Sequence, residues 1–317
     1  MRSLKVLHCA WPVAEMLMLS GEEDLPAELQ KRGVDDTDAI IEAAHEADIL
    51  ITKERLKELD KFFGPWTWGP AAASFLFGYQ TDVFVNPEDE LRITRKRKSI
   101  QPLLPDDAPV IKLPLANKNQ LTDVIAGRRS RRKFADRSVE TEPIAACLQA
   151  ALGITGELKL ENGRTLPLTG APSPGGLNTY DGFLLTQNVT GLEAGTYCYL
   201  PQHHALTRQK GSAIPFDRLF GGQAWCAKAA CVIVLVADLN RQASRYAFPT
   251  TLSAALIEAG TRVELILLQA EAASLSATVV GMTGVGAFDQ QLAAQAGLPS
   301  ETSMRIPLCA VIIGARD

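Results

Sequence analysis

Histidine, aromatic side chains and an excess of charge of one sign are all scarce in this 317-residue chain. Only 4 histidines occur, and the 6 cysteines (Cys9, Cys147, Cys198, Cys226, Cys231, Cys309) form no C-x-x-C pair and have no histidine at ligand spacing. A zinc site and a disulfide framework are thereby excluded as first readings, and no metal is expected; the cysteines read as small core hydrophobes. With 32 basic against 36 acidic residues the net charge is -4, which supplies no global basic field of the kind that captures nucleic acid. No apolar run approaches the ~20 residues that a membrane helix needs. The opening stretch MRSLKVLHCAWPVAEMLML is interrupted by His8 and Glu15 and is followed by no clean cleavage site, so it reads as folded chain rather than as a signal peptide. The expectation is a soluble, cytoplasmic protein with neither nucleic acid nor membrane as partner. A G-x-G-x-x-G fingerprint is missing as well, which argues against a Rossmann fold.

What is present is a chain 46% hydrophobic, long enough to bury a large core and to form one big domain, or a big one with a small one. Residues 1–60 alternate apolar and charged stretches, and DDTDAIIEAAHEADILITKERLKEL reads as helix, hydrophobic step and second helix, with Ile40, Ile41 and Ala44 on the apolar face. Two readings stay open there: a winged-helix-like module of the kind that can hold a leader peptide, and a helical cap, which is the favoured one. Residues 61–116 hold FFGPWTWGPAAASFLFGYQTDVFV, where Phe62, Phe63, Trp66, Trp68, Phe75, Phe77 and Tyr79 concentrate in a chain only 6% aromatic. Core packing is the first explanation, and a stacking platform the second. Five cations in the seven positions 92–98, then QPLLPDDAPVIKLP, read as a solvated linker, with binding of an anionic peptide as the second reading.

From residue 117 the pattern becomes regular. A helix with Leu121, Val124 and Ile125 on one face is followed by another over 141–152, opened by Glu142-Pro143. Strands are expected at 182–187, 196–200 and 307–314, and the wholly apolar 229–239 reads as a strand covered on both faces. The stretch 251–273 is the longest helix, apolar around most of its circumference and so central or at a subunit interface. Helices and strands mix without βαβ regularity, which favours an α+β fold.

The sharpest chemical signal is Arg128-Arg129-Ser130-Arg131-Arg132-Lys133-Phe134, at the end of the first of these helices. Five cations in six places repel one another unless an anion joins them, and guanidinium forks with a serine hydroxyl are groups that hold a phosphate dianion. A solvated basic surface is the competing explanation. The motif R-R-S-x-R-x-F resembles the FMN-phosphate motif of the nitroreductase family, matched by Arg128, Ser130 and Arg132. Ala171-Pro-Ser-Pro-Gly-Gly-Leu-Asn178 is similar to the P-S-x-G segment that lies against the flavin, at Pro172, Ser173 and Gly175. Gly284-Val-Gly-Ala-Phe-Asp289 is similar to the glycine-rich turn beside the isoalloxazine ring, at Gly284 and Gly286. The resemblance covers 117–317, about two thirds of the chain. It implies a nitroreductase-like α+β fold, an antiparallel-type mixed sheet flanked by helices with an N-terminal extension, and FMN held at a homodimer interface.

Within that family, PSPGG together with Gly195, Tyr197, Tyr199 and His204-Ala-Leu206 resembles the streptolysin- and microcin-type (SagB/McbC) azoline dehydrogenases of ribosomal peptide biosynthesis. That branch implies oxidation of a thiazoline or oxazoline in a precursor peptide to the azole, alongside a cyclodehydratase complex. Such chemistry needs a proton acceptor, because removing a hydride from one ring carbon leaves an acidic proton on its neighbour. Where the branch carries a Lys-Tyr pair, this chain reads Ser244-Arg245-Tyr246. Arginine is a poor base, so Tyr246 is the candidate base, with Arg245 holding it or the substrate. Two rival functions remain: a small-molecule nitroreductase or flavin reductase using a nicotinamide donor, and a non-catalytic scaffold for leader peptide or cyclodehydratase. His203-His204 reads as a solvated loop and Lys228 as a strand-edge charge.

Overall fold

In the computed structural model the described residues are 24–46, 111–115, 117–163, 165–211, 213, 215–216, 224–246, 251–281 and 305–317. The chain divides into two units, Met1–Ser74 and Phe75–Asp317. In the first, α1 (Leu25–Lys31) and α2 (Thr37–Glu46) are described. Asp24 caps α1 by accepting the Ala27 N–H at 3.2 Å. Its other end closes through a left-handed Gly33, with Gly33 N–H on the Gln30 carbonyl and Val34 N–H on the Leu29 carbonyl. Leu29, Val34 and Ala44 bury one another, with Ile40 and Ile41 packed against them. The helix expected around Ile40 is thus present, whereas the one expected over KERLKEL lies outside the described residues, as does the aromatic stretch 62–79.

The second unit is built on a six-stranded sheet in the order β5-β4-β3-β6-β8-β7. Its strands are β3 (Tyr180–Thr186), β4 (Gly195–Leu200), β5 (Ala205–Arg208), β6 (Cys231–Asp238), β7 (Leu275–Gly281) and β8 (Arg305–Ala315). Every pairing in it is antiparallel. Cys231 to Ala237 of β6 are wholly buried, because helices cover one face of the sheet and a layer of side chains covers the other. On that second face Val232, Val234 and Val236 pack with Phe183, Phe134 and Phe216.

Among the described residues α4 (Thr141–Leu152) and α6 (Thr251–Ala272) pack against this sheet and α3 (Gln120–Gly127) packs against α6, with the short α5 (Leu239–Ala243) following β6. In α4 the buried positions are Ile144, Cys147, Leu148, Ala151 and Leu152, the spacing of a single core-facing stripe. α6 is about 33 Å long at 1.5 Å per residue, and its buried Leu252, Ala255, Val263, Ile266 and Leu267 fill the chain's own core. Most of its apolar arc is thus buried in the chain itself, whereas Ile257 on the same helix is 68% exposed. α3 is different: its capping box at Asn119 and Thr122 is complete, yet Leu121 and Ile125 are 61% and 53% exposed. Among the described residues no helix is long and apolar enough to cross a membrane.

A two-stranded antiparallel hairpin, β1 (Ile154–Lys159) and β2 (Thr165–Thr169), stands apart from the main sheet. The sequence reading overlooked it, although Asn162-Gly163 between alternating leucines is a strong hairpin signal, and Gly163 does adopt φ 78°. Pro167 obscured the strand pattern, since proline demotes a run to an edge strand.

The side chain that seats the basic segment is Phe134. A Cβ at Gly314 on β8 would lie 2.6 Å and 2.9 Å from its ring atoms. Gly314→Ala should overpack this contact and lower the unfolding free energy by about 1–3 kcal/mol, measurable by chemical denaturation. An unchanged denaturation midpoint would show that Phe134 does not anchor the segment here.

Candidate functional site

After α3 the chain from Arg128 to Lys133 has no regular secondary structure and is tied down by backbone bonds from Arg131 N–H to Ala277 on β7 and from Ala135 N–H to Ala315 on β8, both 3.0 Å. Its five cations are not equally compensated. Arg131 donates to Glu271 at 2.9 Å, and Arg316 shares that carboxylate at 2.7 Å. Arg128 reaches only a loose contact with the half-exposed Glu264, 3.7 Å away. Arg129 spends its guanidinium on the carbonyls of Ala126 and Arg128. Arg132 lies 6.0 Å from the ring centroid of Trp225, which itself stacks on Phe134 at 6.3 Å. Among the described residues Arg129, Arg132 and Lys133 have no carboxylate partner, and Ser130 is exposed beside them. The segment thus carries more positive charge than the described residues neutralise, and this fits the phosphate dianion expected for Arg128, Ser130 and Arg132.

The P-S-P-G-G segment forms a 3₁₀ turn at Pro174–Gly176, in which Gly175 and Gly176 both take positive φ, 64° and 66°. Glycine is required at Gly175 for a second reason. A Cβ there would stand 2.7 Å from the Tyr246 hydroxyl and 3.3 Å from the Arg245 guanidinium. Arg245 donates to the Gly175 carbonyl at 3.1 Å and lies 5.6 Å from the Tyr246 ring centroid. Residues about 70 positions apart, singled out separately in the sequence as flavin segment and as base, therefore meet at one point. Beside it a pocket of about 370 Å³ opens, lined by Leu160, Leu166, Gly175, Leu177 and Arg245.

The turn is held from below by a group that the sequence reading missed. Glu258 and Arg262, one helical turn apart on α6, are 0% and 1% exposed and bonded at 2.7 Å. The Glu258 carboxylate also accepts the Ser173 hydroxyl at 3.1 Å, the Thr179 hydroxyl at 2.9 Å and the Thr179 N–H at 3.1 Å. Ser173 in turn accepts the Asn178 N–H at 2.8 Å, so its hydroxyl is used in fastening the turn to α6. Arg262 completes the set by donating to the Ala151 carbonyl and to Asn178 Oδ1. The available signal was two opposite charges at i, i+4 on the longest helix, each next to an apolar residue. Nearby, Tyr180 donates to the Ala255 carbonyl at 2.7 Å, and burial pushes its phenol well above the usual range.

Other candidates take lesser places. His204 pairs its Nδ1 with the Tyr199 hydroxyl at 2.8 Å from an exposed turn. Lys228 is exposed at the end of a 3₁₀ turn before β6. Cys147, Cys226 and Cys231 are buried, and burial pushes the Cys147 thiol up to about 12, consistent with a packing role. Gly284, Gly286 and Cys9 lie outside the described residues.

Comparison with known proteins gives one consistent result. The sequence pattern of the nitroreductase family matches residues 125–315. A protein of Methanocaldococcus jannaschii, named only as a candidate nitroreductase, is 28% identical over 142 residues, 44% of this chain and 68% of that one. A chain of the Escherichia coli microcin synthetase McbBCD complex with truncated pro-MccB17 bound is 20% identical, with TM-score 0.53, covering 86% of this chain and 97% of that one. A candidate nitroreductase structure from Ralstonia eutropha is 26% identical, with TM-score 0.48, over 68% of this chain and 92% of that one.

The buried pair makes Glu258→Ala the sharpest test of how the turn is held. Leaving the Arg262 charge buried without its partner should cost about 3–5 kcal/mol, read from denaturant unfolding. A loss below about 1 kcal/mol, the size of an ordinary substitution, would show that the turn does not depend on this carboxylate.

Proposed function

This chain belongs to the nitroreductase family, and on that premise we propose that it is an FMN-dependent dehydrogenase oxidising thiazoline or oxazoline rings in a peptide to azoles. Membership implies a flavin-type oxidoreductase. The observation that carries the finer reading is the approach of the Tyr246 hydroxyl to Gly175, which sets an acid–base group against the segment expected to face the flavin. The likeness in fold to a chain of a microcin synthetase complex with a truncated pro-MccB17 bound supports a peptide substrate and synthetase partners such as a cyclodehydratase.

The residues divide the work. Arg128, Ser130 and Arg132 hold the phosphate through charge-assisted hydrogen bonds. Pro172, Ser173 and Gly175 shape the surface for the ring, with no side chain at Gly175 to block it. The chemistry supplied by FMN bound here is acceptance of a hydride. Tyr246 takes the proton lost from the neighbouring ring carbon, and Arg245, bonded to the Gly175 carbonyl, keeps that tyrosine in place. The basic segment touches α6 at Glu264 and Glu271, whereas the turn touches it at Glu258. This separation suits a cofactor shared between two copies, and the exposed Leu121 and Ile125 of α3 offer apolar surface for a homodimer.

The departure from the branch's Lys-Tyr pair at Arg245-Tyr246 favours a second reading, a small-molecule flavin or nitro reductase. Rapid NADH or NADPH oxidation by the purified protein, with no turnover of azoline peptides, would select it.

Two substitutions test the leading reading. The protein is expected to purify yellow, and Arg132→Ala should weaken FMN affinity by about one to two orders of magnitude, since a hydrogen bond to a charged group contributes roughly 1.5–3 kcal/mol; fluorescence titration showing unchanged affinity would remove Arg132 from the site. Tyr246→Phe should retain FMN while slowing azoline turnover by roughly 10²–10⁴-fold, the range for losing a general base. Wild-type turnover in that variant would place the base elsewhere.

A further inference from the structure

The β1–β2 hairpin is the one described pair of strands that the main sheet does not use, and its two faces differ. Gly156 pairs with Leu168 and Leu158 with Leu166, so these residues share one face, with Leu160 following in phase beyond β1. The other face carries Thr155, Glu157, Lys159, Thr165 and Pro167. Through Leu160 and Leu166 the leucine face closes on the candidate site. Leu166 lies 3.4 Å from where a Gly176 Cβ would be, and Leu160 and Leu166 wall the pocket that Gly175 and Arg245 complete. On the same face Leu158, the cross-strand partner of Leu166, and Leu168 are 48% and 44% exposed.

The edges differ as well. Pro167 on β2 accepts a hydrogen bond from the Asn178 side chain at 3.4 Å, so the β2 edge is turned toward the body of the fold. Glu157 is the cross-strand partner of Pro167. A proline has no N–H to give the ladder, which makes this a pair whose backbone groups point outward on both strands. The Glu157 N–H and C=O therefore lie on the far edge, along β1, which pairs with β2 alone among the described residues.

We infer that this hairpin is the docking strand for the peptide substrate: an extended apolar stretch of chain adds along the free edge of β1, lays side chains on Leu158 and Leu168, and leads the reacting ring into the pocket at Gly175 and Arg245. This rests on the proposed reading that the substrate is a peptide. Strand addition draws affinity from backbone hydrogen bonds and selects alternate side chains, so it tolerates varied sequence while requiring apolar residues beside the ring. A second copy of the chain is a poorer occupant, because two half-exposed leucines are a small part of the roughly 1,200–2,000 Å² that a stable interface buries, whereas they are continuous with the pocket where the ring must arrive.

The experiment uses the FMN-loaded protein and fluorescein-labelled heptapeptides carrying one central thiazole, flanked by leucines or by serines, with binding read by anisotropy. The wild type should bind the leucine-flanked peptide about tenfold more tightly, and Leu158→Glu with Leu168→Glu should abolish that preference, as burial of apolar surface on two leucines would give. Glu157→Pro, which removes an outward N–H without touching the hairpin ladder, should weaken both peptides about threefold or more. Equal binding of the two peptides by the wild type, or unchanged binding in both variants, overturns the inference. A shift from dimer to monomer in sedimentation of the leucine variant also overturns it, by assigning the face to a second copy. Turnover of the matching thiazoline peptide is measured in parallel. Variant-sensitive binding without turnover keeps the docking strand and removes the dehydrogenase reading, whereas turnover with variant-insensitive binding does the reverse.

Discussion

The ion pair between Glu258 and Arg262 is the constraint around which the site is arranged. Two charges taken fully out of water cost several kcal/mol each unless their hydrogen-bonding capacity is filled. Here it is filled by groups from distant parts of the chain: Ser173 and Thr179 on either side of the glycine turn, Asn178 within it, and the Ala151 carbonyl at the end of α4. The pair is satisfied only when the turn, α4 and the start of β3 have all reached their places. Its contribution is specification: the same bonds that neutralise the charges set the height and tilt of Gly175 above α6.

The opposite electrostatic logic governs the segment after α3. There the backbone is fixed, by Phe134 beneath Gly314 and by bonds to β7 and β8, while most of the charges have no carboxylate partner among the described residues. Exposed arginines gain little from surface ion pairs, so leaving Arg132 and Ser130 open costs little in stability and keeps them ready for an anion. Rigid backbone with uncompensated side chains is what a preorganised phosphate site requires. One helix, α6, thus carries both kinds of electrostatics, neutralised at Glu258 and only partly neutralised at Glu264.

Legibility from sequence followed the range of the interaction. Motifs confined to a few consecutive residues, Arg128 to Phe134 and Pro172 to Gly176, could be read directly, as could β6 and α4, whose apolar spacing is local. Partnerships across the chain could not. Nothing in the sequence joins Gly175 to Tyr246, or Ser173 to Glu258, because folding alone brings them together. Periodicity also failed to say what an apolar stripe faces. That of α6 turned out to fill the chain's own core, while that of α3, equally regular, is exposed at Leu121 and Ile125. The β1–β2 hairpin was hidden by its own proline, which sits where the ladder needs no donor.

Gly175 shows why such a site resists piecemeal reading. Its positive φ shapes the turn, its carbonyl holds Arg245, and its missing side chain leaves room for the Tyr246 hydroxyl. Any side chain would meet a steric penalty in the left-handed conformation and a collision with the tyrosine as well. Relieving either would move the turn against the Glu258 network that fixes it from below. The geometry that places the Tyr246 hydroxyl beside the glycine turn is thus the joint product of a buried charge pair on one side and an absent Cβ on the other, and neither element alone would produce it.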